Sequence, residues 1–72
     1  MTDTQELETL IKKSGLKKVY IAKQLDISPY GLALKIKNVN EFTTGEVDAL
    51  CRLLNIKSLK EKERIFFAKR VD

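Results

Sequence analysis

Histidine and tryptophan are absent from this 72-residue sequence, and cysteine and proline occur once each. Without histidine, and with a single cysteine, the chain lacks the ligand sets of the common zinc and haem sites and cannot build a nucleophile–histidine–acid triad. The acidic residues fall at predicted helix caps and on outer faces, which disfavours a catalytic carboxylate pair. We therefore predict a protein that is not an enzyme and that uses no metal or other cofactor.

Long apolar runs and glycine-rich stretches are missing as well. The longest apolar runs, such as 65–68, span four residues, too few for a membrane span or a signal-peptide core. One cysteine forms no internal disulfide, which favours a cytoplasmic protein over a secreted one. With 43% hydrophobic and 33% charged residues, the chain is predicted to be one small, helix-rich binding domain over residues 1–72, without a membrane partner.

The net charge of +4 is unevenly distributed along the chain. Residues 12–37 carry seven lysines against one aspartate, whereas residues 1–11 and 38–56 are net acidic. A basic segment between acidic ones suits a polyanion or an acidic protein surface. A lysine-rich face that is only solvated is the alternative interpretation.

Apolar residues recur at helical spacing throughout, which predicts an all-α fold of five short helices. The first three are expected at about 3–14, 18–25 and 29–37, the fourth begins after Thr43, and the fifth covers about 59–70. Cys51 is expected to be a core thiol, and Phe66 and Phe67 to be core residues or a dimer surface. Gly15 is predicted to end the first helix, and Ser28, followed by Pro29, to cap the start of the third. Two capping boxes are predicted at the starts of the fourth and fifth helices: Thr43 with Glu46, flanked by a Phe42–Val47 hydrophobic staple, and Ser58 with Glu61.

The segment from Ile21 to Ser28 carries the clearest motif. A small Ala22 permits two helices to cross closely, Ile27 fills the corner between them, and Ser28 caps the second helix, which Leu32 anchors in the core. Over about residues 4–56 the chain resembles the Cro/repressor-type helix-turn-helix family. The resemblance implies a compact five-helix domain with the helix-turn-helix at about residues 18–37.

A closer resemblance rests on the segment 32–38 followed by Glu41-Phe42-Thr43. These residues are similar to those of small Cro-sized regulators of temperate phages of Gram-positive bacteria. The resemblance implies a regulator of the lytic–lysogenic switch in the bacterial cytoplasm. It also implies a CI-type repressor, through its amino-terminal DNA-binding domain, as the partner.

The second helix of the motif departs from the family's DNA-reading pattern. Such helices read base edges with arginine, lysine, asparagine or glutamine, and this chain has no such residue in the first turns of that helix. Apolar and tyrosine side chains with a basic rim indicate a protein-binding surface instead. The alternatives are partial burial of the two tyrosines against neighbouring helices and inward packing of Leu34 beside Ile36 and Phe42. The predicted partner-binding residues are Lys18, Val19, Tyr20, Lys23, Pro29, Tyr30, Ala33, Leu34 and Lys37.

A second functional hypothesis is a Cro-like repressor that binds operator DNA directly as a dimer. Lysines beside the motif would hold phosphates, and the few polar side chains nearby would contact bases or backbone. Operator DNA could then be bound weakly by the chain alone or in a joint complex with the repressor. The residues predicted for this role are Lys18, Lys23, Ser28, Tyr30, Lys35, Lys37 and Asn38.

Overall fold

Five α-helices form the fold, and no strand occurs in residues 1–68, the part of the chain that the computed structural model describes. The predicted all-α class and the order of the five helices are confirmed. The helices are α1 (Thr4–Ser14), α2 (Lys18–Gln24), α3 (Pro29–Ile36), α4 (Thr44–Leu53) and α5 (Leu59–Phe66).

The predicted helix caps are present, with one exception. Ser28 Oγ accepts the N–H of Gly31 at the start of α3, and both halves of the Thr43–Glu46 capping box form at the start of α4. At α5 the Ser58 hydroxyl accepts the N–H of Glu61. Within residues 1–68 the Glu61 side chain does not accept the N–H of Ser58, so only half of the second capping box forms.

Gly15 ends α1 in the left-handed region, with φ 75°. A β-carbon added there would meet no atom within 4 Å, so substitution by alanine carries only a conformational cost. We expect Gly15→Ala to lower the free energy of unfolding by about 1 kcal/mol in urea titrations. Gly45→Ala is the matched control, because the same open space surrounds Gly45 within helix α4. It should instead stabilise the domain by about 0.5–1 kcal/mol; equal effects at both sites would contradict this explanation.

One hydrophobic core lies between the helices and receives side chains from all five. Leu10, Ile27, Phe42 and Cys51 are half-buried and pack against it; Cys51 therefore lies at the edge of the core rather than inside it. Phe42 meets Phe66 edge to face, with ring centroids 5.9 Å apart. The buried hydrophobic residues are Leu7, Ile11, Ile21, Ala22, Leu25, Leu32, Ile36, Val47, Leu50, Leu54, Ile56, Ile65 and Phe66.

The fifth helix is shorter than the predicted span of about 59–70. It ends at Phe66, and Phe67 has left helical geometry at φ −125°, ψ 36°. The backbone there bonds to the start of the chain: the N–H of Ala68 donates to the carbonyl of Met1, and the N–H of Asp3 to that of Ile65. These contacts with a distant segment replace the next helical turn. Residues 69–70 of the prediction lie outside the described residues.

Asn38 connects the end of α3 to the start of the chain. It adopts φ 67°, and its side-chain amide accepts the N–H of Thr2 and donates to the Thr2 carbonyl at 2.7 Å and to Thr4 Oγ1 at 3.3 Å. Thr2 is buried. The Asn38 amide thus ties the end of α3 to the first residues of the chain.

Candidate functional site

A tight turn sets helices α2 and α3 against each other. Asp26 reverses the chain at φ 59°, and the N–H of Ile27 donates to the carbonyl of Ala22 at 3.0 Å. Ala22 is fully buried, and Ile27 packs against the core from the turn. The small residue at the crossing and the apolar residue in the corner therefore occupy the positions expected of them.

Four apolar or aromatic side chains lie exposed on α2 and at the start of α3. Val19 is 66% exposed, Tyr20 45% and Tyr30 74%, and Pro29 is exposed beside Tyr30. Partial burial against neighbouring helices, the alternative interpretation of the sequence, thus holds for Tyr20 but not for Tyr30. We refer to Val19, Tyr20, Pro29 and Tyr30 as the α2–α3 surface.

An open depression joins part of this surface to the turn. Val19 and Lys23 line it from α2, and Pro29 lines it from α3. Ile27 and Asp26 line it as well, although sequence reasoning had assigned them only to the turn. Their position between Lys23 and Ser28 was the available signal, since a turn between two helices lies next to the surface that the helices share.

Ala33 and Leu34 are less accessible than the other predicted contact residues. Both are half-buried, and the carbonyl of Leu34 accepts the N–H groups of Val39 and Asn40 as the chain leaves α3. Leu34 can therefore contribute only part of its side chain to a contact. The exposed apolar part of α3 is concentrated at Pro29 and Tyr30.

The lysines around the motif differ in whether an acidic side chain pairs with them. Lys18 Nζ lies 2.8 Å from a Glu8 carboxylate oxygen, with both side chains about half exposed, and such surface pairs are weak and screened by salt. Lys23 and Lys37 are exposed, and neither forms an ion pair within residues 1–68. Lys23 and Lys37 thus carry positive charge that no acidic group within residues 1–68 compensates.

Several groups assigned to the DNA-binding hypothesis are engaged inside the fold. Lys35 Nζ lies 2.7 Å from Glu46 Oε2, and only 15% of its side chain is exposed. The Asn38 amide holds the start of the chain, and the Ser28 hydroxyl caps α3. A DNA contact by Lys35 or Asn38 would require breaking these bonds. Ser28, whose hydroxyl can still donate a hydrogen bond, and Tyr30 are the exposed polar side chains at the beginning of the second helix.

Residues 1–68 contain no cluster of three or more potential metal-ligating side chains. Burial raises the pKa of the Cys51 thiol; Lys62 opposes this shift, and Asp48 and Glu61 reinforce it. A thiol with a raised pKa is a poor nucleophile at neutral pH.

No helix within residues 1–68 combines the length and the apolar character needed to cross a lipid bilayer.

No family model, curated protein or solved structure matches the chain. Its function is therefore inferred from the residues and their geometry.

Proposed function

We propose that this chain is a transcriptional regulator of a phage lytic–lysogenic switch. It acts as a modulator of repression, or antirepressor, by binding the amino-terminal DNA-binding domain of a CI-type repressor. The contact is made by α2 and α3, which form a Cro/repressor-type helix-turn-helix. The observation that carries the proposal is the exposed α2–α3 surface, together with the family resemblance of the sequence.

The side chains of this surface suit a protein partner better than base pairs. Discrimination between bases rests mainly on paired donors and acceptors, at about 1–3 kcal/mol for each bidentate contact. Tyr30 offers one hydroxyl, and Val19 and Pro29 offer none. Burial of the same groups against a protein gains about 25 cal/mol per Å² of apolar area, and tyrosine is enriched among the residues that dominate protein interfaces.

Charge at the rim adds a requirement on the partner. Lys23 and Lys37 carry uncompensated charge in a chain of net charge +4, so an acidic patch on the repressor domain is the complementary surface. Such complementarity acts mainly on the association rate. The association rate constant should fall as salt is raised, whereas the dissociation rate should change little.

Truncation of Tyr30 tests the proposed contact. Tyr30→Ala is expected to weaken binding to the repressor domain by about 2 kcal/mol, roughly 30-fold in Kd, because an exposed aromatic anchor is lost. Isothermal titration calorimetry measures the effect. Because Tyr30 is 74% exposed, the free energy of unfolding should change by less than about 0.5 kcal/mol.

Val39→Ala is the matched control, because Val39 is 66% exposed but lies beyond α3, outside the α2–α3 surface. Its Kd should equal that of the unaltered chain. Leu34→Ala should weaken binding less than Tyr30→Ala, since Leu34 is half-buried. Undiminished affinity in the Tyr30 variant would exclude this surface as the contact.

Direct binding to operator DNA as a Cro-like dimer is the second candidate function. Lys17, Lys23 and Lys37 favour it, because all three are exposed and form no ion pair within residues 1–68. Fluorescence anisotropy of labelled operator DNA, with and without the repressor, separates the two functions. Specific binding of the operator by the chain alone would favour this candidate over the first. In that case the logarithm of the binding constant should fall with the logarithm of the salt concentration, with a slope of about one unit per neutralised phosphate.

A further inference from the structure

The depression between α2 and α3 contains charges of both signs. Asp26 is the only acidic residue between positions 12 and 37, a segment with seven lysines. It is exposed and forms no ion pair within residues 1–68. The basic segment thus presents its single negative charge in the same depression as Lys23. We call this site the α2–α3 depression; it is lined by Val19, Lys23, Asp26, Ile27, Ser28 and Pro29.

The turn between the helices does not itself require a carboxylate at position 26. Asp26 has a φ of 59°, and the other residues with positive φ within residues 1–68 are Gly15, Asn38 and Asn55. Glycine adopts this conformation without steric cost, and asparagine tolerates it as aspartate does. Asp26 is the one residue of these four that carries a charge. Backbone geometry alone therefore does not account for the carboxylate.

We propose that Asp26 binds a cationic side chain of the repressor domain and thereby selects a protein partner over DNA. This inference rests on the function proposed above and adds a residue that determines its specificity. A carboxylate accepts two parallel hydrogen bonds from a guanidinium group, and the aliphatic stem of that side chain would lie against Val19 and Ile27. A domain that binds DNA carries basic side chains for phosphates and bases, so the partner has the group that Asp26 requires.

The opposite charges in the α2–α3 depression favour a protein over a nucleic acid. Duplex DNA carries one negative charge about every 1.7 Å of helix axis, so it attracts Lys23 but is repelled by Asp26. A protein surface offers acidic and basic groups side by side. The flexible Lys23 side chain can reach an acidic group while the short Asp26 side chain holds a basic one. A partner with both signs therefore satisfies both residues.

Asp26→Asn tests the proposal, because it removes the charge and keeps a side chain that tolerates the left-handed turn. Binding to the repressor domain, measured by isothermal titration calorimetry, should weaken about tenfold through the loss of a charge-assisted hydrogen bond. The variant has one more net positive charge than the original chain. Long-range attraction to an acidic partner surface would by itself strengthen binding, so the expected change has the opposite sign.

The same variant should change DNA binding in the other direction. Loss of a carboxylate that repels phosphates should tighten binding to labelled duplex DNA about twofold at low salt. Fluorescence anisotropy measures this change. Weaker binding to the repressor domain together with tighter binding to DNA is the expected signature of a residue that selects between the two. Weaker DNA binding by Asp26→Asn would overturn the proposal.

Glu63→Gln is the matched control for charge. Glu63 is exposed on α5, outside the α2–α3 depression, and forms no ion pair within residues 1–68. Its substitution changes the net charge by the same amount and should leave binding to the repressor domain within about twofold. Asp26→Gly should weaken this binding as much as Asp26→Asn does, because both lack the carboxylate. Circular dichroism should show equal helix content in all three variants.

Two further outcomes separate this inference from the proposed function. If Asp26→Asn binds the repressor domain as tightly as the original chain, whereas Tyr30→Ala binds it more weakly, the role of Asp26 is overturned and the proposed function stands. If the original chain does not bind the repressor domain, both are overturned.

Discussion

Leu50→Ala is expected to lower the free energy of unfolding by about 3 kcal/mol, within the 2–5 kcal/mol range of large-to-small changes in cores. Leu50 is fully buried at the inner face of α4. The loss combines transfer of the removed methyl groups to water with the cavity that they leave. For a domain of this size, with a total stability of roughly 4–10 kcal/mol, one substitution then removes a large part of the stability.

The measurement is urea denaturation followed by helical circular dichroism. With a slope of about 1–1.5 kcal/mol per molar urea for a small domain, the midpoint should fall by about 2 M or more. Leu53→Ala is the control on the same helix. Leu53 is half-buried at the edge of the core, so the change should cost about 1 kcal/mol. Equal losses for both variants would show that burial does not determine the cost.

Glu46→Ala is expected to cost about 2–3 kcal/mol, because one carboxylate serves two elements. Glu46 closes the capping box of α4 through the N–H of Thr43, and it holds Lys35 on α3. A lost cap costs about 1 kcal/mol, and an ammonium left mostly buried without its partner costs more. Only 12% of the Glu46 side chain is exposed, so water compensates little.

A double-mutant cycle with Lys35→Met isolates the ion pair from the cap. If the two groups are coupled, Lys35→Met should cost less in the Glu46→Ala background than in the unaltered chain. Additive costs would show that the pair contributes nothing beyond the cap.

The same carboxylate gives the stability of the domain an acid-sensitive component. Burial by itself would raise the pKa of Glu46, but hydrogen bonds from Lys35 and Thr43, with the Lys35 charge, outweigh burial and hold this pKa below its ordinary value. Because the folded-state pKa is the lower one, the stabilisation is fully present above the ordinary value near 4.5 and is lost as pH falls through the folded-state pKa.

The stability difference between the original chain and Glu46→Gln should therefore shrink as the pH is lowered from 7 to 3. Glu41→Gln is the control, since Glu41 is exposed and forms no ion pair within residues 1–68. Its effect should be small at every pH. A Glu46→Gln difference that stays constant down to pH 3 would contradict this interpretation.

Local signals in the sequence were sufficient to predict most of the fold. Gly15 at the end of α1, Ser28 before Pro29, and the Thr43–Glu46 box each act within one helical turn, and each lies where it was predicted. The exposure of Tyr20 and Tyr30 followed from helical periodicity in the same way, because the inward positions of α2 and α3 were already assigned to aliphatic residues.

Contacts between distant segments could not be predicted in this way. Lys35 and Asn38 resembled phosphate or base contacts because their partners, Glu46 and Thr2, lie far along the chain. The end of α5 was misplaced for the same reason, since the bond from Ala68 to Met1 crosses the whole length of the described chain. Exposure of a polar side chain depends on such tertiary partners, whereas a cap depends on its own turn.

Both tyrosines of the sequence lie on the α2–α3 surface, and the chain has no tryptophan. Substitution with 3-fluorotyrosine would therefore give a two-line fluorine NMR spectrum in which every signal reports on this one surface. Tyr20 and Tyr30 differ in accessibility, so a solvent isotope shift would assign the two lines without mutation. Titration of any candidate ligand could then be followed at two atoms of the surface itself, without interference from the rest of the protein.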